Sequence, residues 1–282
     1  MSRNSRRRAL SKAVVTLCGM AVVLALIPLI LVFVYVLKQG VSSLNWDFFT
    51  KMPKPVGETG GGMANALVGT LILIGLASIF AVPVGLTAGI YLSEYGKSRL
   101  ASAVRFTADV LNGVPSIVIG IFAYGLAVLP VHRFSALAGG LALGFMMVPI
   151  ITRTTEELLN LVPSNLREGA LALGATRARA AFGVMVPAAL PGIMTGILVS
   201  LARIAGETAP LLFTSFNNRF FTARLDQPIS SLTVQVYTYA ISPYDDWHRQ
   251  AWAGALVLVT LVFLFSVLAR MVTRRLERMH RA

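Results

Sequence analysis

Charge is the scarcest property of this sequence, and negative charge the scarcest of all. Only 13% of the 282 residues are charged, and 12 of them are acidic. Soluble domains carry about 25% charged residues, so an ordinary water-facing surface is excluded. Cysteine is nearly absent: Cys18 stands alone within an apolar run, which excludes an intrachain disulfide framework. The three histidines, His132, His248 and His280, fall in different loops or tails without metal-ligand spacing. No nucleophile–base constellation accompanies them, so the chain is not expected to be an enzyme on its own.

What is abundant is apolar. Hydrophobic residues make up 56% of the chain and the mean hydropathy is +0.72, the composition of a polytopic membrane protein. The net charge of +13 would suggest nucleic acid in a soluble protein. Here the basic residues sit in short segments beside apolar runs, a pattern of membrane topology.

At roughly 20 apolar residues per crossing, six spans are predicted: Val14–Leu37, Leu67–Tyr91, Val110–Leu129, Phe134–Ile151, Pro191–Phe213 and Ala251–Ala269. The first is too long for a signal-peptide core and reads as a retained helix. With the N-terminus inside, segments 1–13, 92–109, 152–190 and 270–282 hold seventeen Lys and Arg, against seven in segments 38–66, 130–133 and 214–250. That bias places both termini in the cytosol. Gly57, Gly60, Gly61 and Gly62 mark a flexible boundary between an N-terminal anchor with its external loop (1–60) and a helical core (61–275). Gly85/Gly89, Gly140/Gly144 and Gly192/Gly196 have the spacing that lets membrane helices pack closely.

A polar island interrupts this pattern at 163–190. Pro163 disfavours helix at Val162, and Ser164 or Asn165 can cap a new one; Asn165 as the cap puts Glu168 at the reciprocal third position. Gly174 suits the end of that short helix, and Leu166, Ala170 and Leu173 form a narrow apolar stripe. A second short helix carrying Arg177 and Arg179 leads to Pro191, read as the first residue of span five. Gly96-Lys97-Ser98 is not a phosphate loop: Tyr91 stands where the first glycine is needed, and a membrane helix rather than a strand precedes it.

Span five carries Arg203 and Glu207, four residues apart on one helix face. A charge at mid-bilayer costs about 2.5–3.5 kcal/mol or more, so it normally faces protein or a watery path. Two roles remain open. The pair can close a gate, with each other or with a partner subunit. Alternatively Arg203 presents its planar fork to an oxyanion while Glu207 orients or releases it. Gly206 and Pro210 make local distortion of the helix plausible.

Glu168-Gly169-Ala170, then Gly174, then Leu190-Pro191 together resemble the EAA loop of type I ABC importer permeases, with Gly169 where that motif has alanine. The resemblance implies that Glu168, Gly169, Ala170 and Gly174 belong to a coupling helix seated in a separate ATPase. ATP and Mg would then be bound by that partner, with no cofactor in this chain. Further segments narrow the family. Arg203-Ile-Ala-Gly-Glu-Thr-Ala-Pro-Leu-Leu-Phe213, Gln227-Pro-Ile, Ala251-Trp-Ala-Gly254, Gly61-Gly62-Met-Ala-Asn65-Ala-Leu-Val-Gly69-Thr70 and Pro115-Ser-Ile-Val-Ile-Gly120 are similar to membrane subunits of high-affinity phosphate importers. That likeness covers nearly everything after residue 60. It implies an all-α, six-helix permease fold in a prokaryotic inner membrane. It also implies a PstC-like second permease, two PstB-like ATPase subunits, and a PstS-like external phosphate-binding protein. Arg203, Glu207 and Thr208 would then lie on the phosphate path. A permease for molybdate, sulfate or phosphonate is the alternative within this class, and an ion-gradient-driven transporter the alternative outside it. The loop 214–250, with Asn217, Asn218, Arg219, Phe220, Phe221, Arg224, Tyr244, Asp245, Asp246 and Trp247, is the expected docking face for the binding protein. Trp46, Phe48, Phe49 and Trp252 are expected in interfacial belts.

Overall fold

The computed structural model describes residues 3–281, which are mostly helical; the strand-type pairing among them is one isolated bridge between Pro53 and Gly61. In chain order the helices are α1 (Arg3–Ser43), α2 (Trp46–Thr50), α3 (Ala64–Tyr95), α4 (Arg99–Gly113), α5 (Ser116–Ala123), α6 (Ala136–Leu161), α7 (Ser164–Ala172), α8 (Arg177–Ala180), α9 (Val186–Ala205), α10 (Ala209–Thr214), α11 (Leu232–Ala240) and α12 (Asp245–Arg281). Five described helical stretches are long and apolar enough to cross a membrane, and a sixth is obtained if one bent pair counts as a span.

That bent pair corrects the third predicted span. Val110–Leu129 is not one straight helix: α4 ends at Gly113 and the chain turns by 110° into a stretch running from Ser116 to Val131. Pro115 explains the break, since it withholds a backbone N–H and pushes Val114 into extended geometry (φ −71°, ψ 131°). The fourth span is longer than expected. α6 continues ten residues past Ile151, so the polar run Thr152–Glu157 is helical rather than loop.

Helix α6 is the axis of the core. Leu143, Met147 and Ile151 pack with Leu73, Ala77 and Ala81 of α3 and with Ile193, Ile197 and Ile204 of α9. All three small-residue pairs lie on the seams of α6. Gly85 and Gly89 face Ile151 and Thr155, Gly140 and Gly144 face Leu76 and Phe80, and Gly192 and Gly196 face Leu158 and Thr154. A methyl on Gly85 would come within 2.7 Å of the Ile151 Cβ, so these contacts require the missing side chain.

α1 stands apart, its apolar residues exposed along Val14–Leu37. It touches the rest through α12, where Tyr35 meets Trp252 edge to face at 5.1 Å. A smaller cluster joins Phe48, Met63, Leu232, Tyr239, Trp247 and Ala253. Two aromatic assignments therefore change. Phe48 is 1% exposed and belongs to this core rather than to a belt, and Trp247 is buried against Tyr239 (4.4 Å, stacked) rather than offered for docking. Trp46, at 79% exposure, remains on the surface.

Candidate functional site

The fifth span is broken at its most polar point. Helix continues through α8, a π-bulged turn and α9 from Arg177 to Ala205, then stops at Gly206; α10 starts only at Ala209. Pro191 therefore lies inside the helix, and Pro187 occupies the first turn. Arg203 falls in the last turn of α9 rather than near mid-span, and Glu207 and Thr208 lie in the break. Their side chains no longer share one helical face, and no ion pair joins Arg203 to Glu207 among the described residues. In this chain by itself Arg203 is exposed, while Glu207 and Thr208 are half-buried.

The break is held by backbone and hydroxyl contacts. The Glu207 N–H donates to Ile204 O at 3.2 Å, and the Glu207 carbonyl accepts the Thr233 hydroxyl at 2.9 Å. Thr233 lies in the first turn of α11, whose N-cap Ser231 accepts from the Val234 N–H. The Leu232 N–H donates in turn to Thr70 Oγ1 on α3 at 2.8 Å. Unwound backbone flanked by charge, satisfied by neighbouring helices, is the arrangement by which membrane transporters make ion and substrate sites.

The segments that carry the sequence resemblance meet here in space. A Cβ on Gly69 would overlap Ser230 O in the loop after Gln227-Pro-Ile, one on Gly120 would lie 2.7 Å from Pro210 Cα, and one on Gly254 would lie 2.6 Å from Val236 Cγ2 of α11. Asn65 Nδ2 donates to Asn218 O at 2.6 Å. Sequence reasoning placed Arg203, Glu207 and Thr208 but missed Thr70, Ser231 and Thr233, because hydroxyls in apolar helices look like ordinary packing. The one available signal was the glycine at 69 beside Thr70.

The hairpin is α7 followed by α8. Its helix begins at Ser164 with Pro163 as cap and no side-chain cap bond, so the expected Asn165–Glu168 capping box is absent. The helix starts at Ser164, which puts Asn165 inside its first turn rather than at the cap. Its end is as expected. Gly174 adopts φ +83°, with Gly174 N–H donating to Leu171 O and Ala175 N–H to Ala170 O, a Schellman closure. None of the α7 residues is buried, Leu173 is 92% exposed, and Glu168 and Gly169 face open space. The helix is held from behind by Arg167, whose guanidinium pairs with the buried carboxylate of Glu94 on α3 at 2.9 Å.

A second ionic anchor went unseen in the sequence. Glu156 of α6 has a side chain 4% exposed and accepts Arg105 of α4 and Arg153 of α6, each at 2.5 Å. Arg153 also reaches Asp109 of α4 at 3.0 Å. These pairs latch the elbow helix α4 to the end of α6.

The architecture is that of a binding-protein-dependent permease. The chain aligns with inward-facing structures of the MetNI methionine ABC transporter with a TM-score of 0.60 over 76% of this chain and 94% of that one, at 20% identity. An amino acid ABC transporter crystallised with histidines gives 0.58 at 19% identity. Residues 81–278 match the family model for the binding-protein-dependent transport system inner membrane component. Sequence relatives are closer. The phosphate transport system permease protein PstA of Yersinia pestis is 43% identical over 94% of this chain and 90% of its own length. The Haemophilus influenzae PstA is 40% identical over 94% of each. A probable PstA of Methanocaldococcus jannaschii is 36% identical over 87% of each. The chain thus belongs to the binding-protein-dependent permease family and, within it, to the PstA branch.

Proposed function

We propose that this chain is a membrane subunit of an ATP-driven importer of inorganic phosphate. The observation that carries this reading is the broken fifth span, which sets an exposed arginine beside a carboxylate and a hydroxyl in a chain of the PstA branch. Arg203 donates its planar fork to the phosphate oxygens, an interaction stronger than that of a neutral donor. Glu207 opposes prolonged retention by like-charge repulsion and takes up the arginine once phosphate leaves. Thr208 supplies a hydroxyl at the same break.

The drive comes from elsewhere. The unburied helix α7 is the surface by which a separate ATPase moves this subunit, with Glu168, Gly169 and Ala170 seated in the ATPase and Gly174 setting the turn beneath them. ATP and Mg are held by that partner, and this chain has no catalytic centre of its own. A PstC-like permease completes the pathway, two PstB-like subunits form the motor, and a PstS-like protein delivers phosphate to the outer loops in a prokaryotic inner membrane.

The test is uptake of labelled phosphate into vesicles reconstituted with all four kinds of subunit. Arg203→Gln is expected to abolish ATP-dependent uptake while leaving assembly intact; uptake at the unaltered rate would remove Arg203 from the path. Excess sulfate or molybdate is expected not to compete, and effective competition would favour the broader oxyanion reading.

A further inference from the structure

The transport reading leaves one cleft unused. It lies between the α3–α4 turn and the α7–α8 hairpin, encloses about 550 Å³, and is lined by Ser93, Lys97, Ser98, Arg105, Arg167 and Arg177, with Glu94 as its carboxylate. Four cations thus surround one acid. Arg167 is committed to Glu94 and Arg105 to Glu156, yet neither is saturated. The Arg167 Nε is buried without an acceptor. Arg105, whose Nε and Nη2 both donate to Glu156 Oε1, borders the cleft beside Gly96.

Lys97 and Arg177 have no acidic partner among the described residues. They face the cleft from different elements, Lys97 from the turn and Arg177 from the start of α8. Like charges around a concavity repel unless a multivalent anion sits between them. Guanidinium forks and an ammonium together form a donor set for a tetrahedral oxyanion, while the Ser93 hydroxyl already donates to Asn160 Oδ1.

We propose that this cleft binds a phosphate-class oxyanion on the cytosolic side, supplied as free inorganic phosphate or as the headgroup phosphate of an anionic lipid. The site is separate from the break at Arg203 and stands whether or not that break carries phosphate. An anion held here ties the α3–α4 turn to the coupling hairpin, so that both move as one piece.

The experiment uses the permease–ATPase complex without the external binding protein, purified with Arg203→Gln so that the membrane path contributes no signal, with and without Lys97→Gln/Arg177→Gln. Neither residue is buried or paired, so the double variant is expected to keep the parent's melting temperature. Labelled inorganic phosphate is titrated in nanodiscs of neutral lipid, and retention of phosphatidylglycerol through delipidation is read by native mass spectrometry. Phosphate binding weakened about tenfold or more in the double variant identifies free phosphate as the ligand, the loss expected from removing charge-assisted hydrogen bonds. Phosphatidylglycerol retained by the parent and lost by the double variant identifies the headgroup. Equal phosphate binding and equal lipid retention in both would overturn the proposal.

Discussion

At the scale of single residues, the positions that matter most are those where a side chain is missing. Gly69 lets the loop at Ser230 cross α3, and a methyl there overlaps the Ser230 carbonyl. Gly69→Ala is expected to destabilise the fold by about 1–3 kcal/mol, the usual range for overpacking, read as a lower melting temperature in detergent. An unchanged melting temperature would mean that the loop is free to move away. Gly174 matters for a different reason. Its φ of +83° costs a non-glycine residue about 1–2 kcal/mol, so Gly174→Ala is expected to fray the hairpin and lower coupled ATPase activity in the assembled complex. Unaltered coupling in Gly174→Asp, which adds charge as well as strain, would count against docking at this turn.

At the scale of elements, two helices, α4 and α7, are tied to the core by ion pairs. α4 is amphipathic and exposed along much of its length, and Glu156 is the buried end of its latch. Removing that carboxylate leaves Arg105 without its ion-pair partner, while Arg153 keeps Asp109. Because both arginines remain about a third exposed, the cost is discounted from the fully buried case to about 1–3 kcal/mol. Glu156→Ala is thus expected to loosen α4, seen as faster amide exchange along Arg99–Gly113 with exchange in α9 unchanged. The loop preceding α11 has a pH-sensitive counterpart. Hydrogen bonding to Arg224 holds the Asp226 carboxyl below its ordinary 3.8, helped by the charges of Arg224 and Arg133. A lowered folded-state value contributes stability above pH 3.8 that is lost as pH falls through the lowered value. Protection of Ala136 and Leu137, whose amides donate to Gln227 O and Leu225 O, measured relative to the intrinsic exchange rate at each pH, is expected to fall in acid and to lose that extra pH dependence in Asp226→Asn.

At the scale of the whole molecule, an even number of crossings returns the chain to the side on which it began. If the bent pair is one crossing, a thiol-specific reagent that cannot cross the membrane is expected to label Phe220→Cys in intact cells and Lys97→Cys only after permeabilisation, both in a Cys18→Ser background. Labelling of both in intact cells would break the six-span topology. The long apolar flank of α1, exposed in the chain by itself, has the length and composition of a crossing and so fits such a count.

The apolar run lengths were enough to identify an all-helical membrane protein with five or six candidate crossings, because the hydrocarbon thickness sets the length of a crossing without reference to other helices. Gly174 was legible as a helix end for a similar reason: a left-handed residue is a local demand. The break after Ala205 was not. Gly206 and Pro210 suggested distortion, but whether the helix runs on depends on whether other elements satisfy the freed backbone, and here Thr233 of α11 does so from 26 positions away. The burial of Phe48 and Trp247 and the Glu156 latch are of the same kind. Each rests on contacts between segments distant in the chain, and hydrophobic periodicity carries no record of which distant group a side chain will meet. Local sequence determined what each segment is, and tertiary packing decided where Arg203 and Glu207 stand relative to one another, because only packing supplies the partners that let a span unwind.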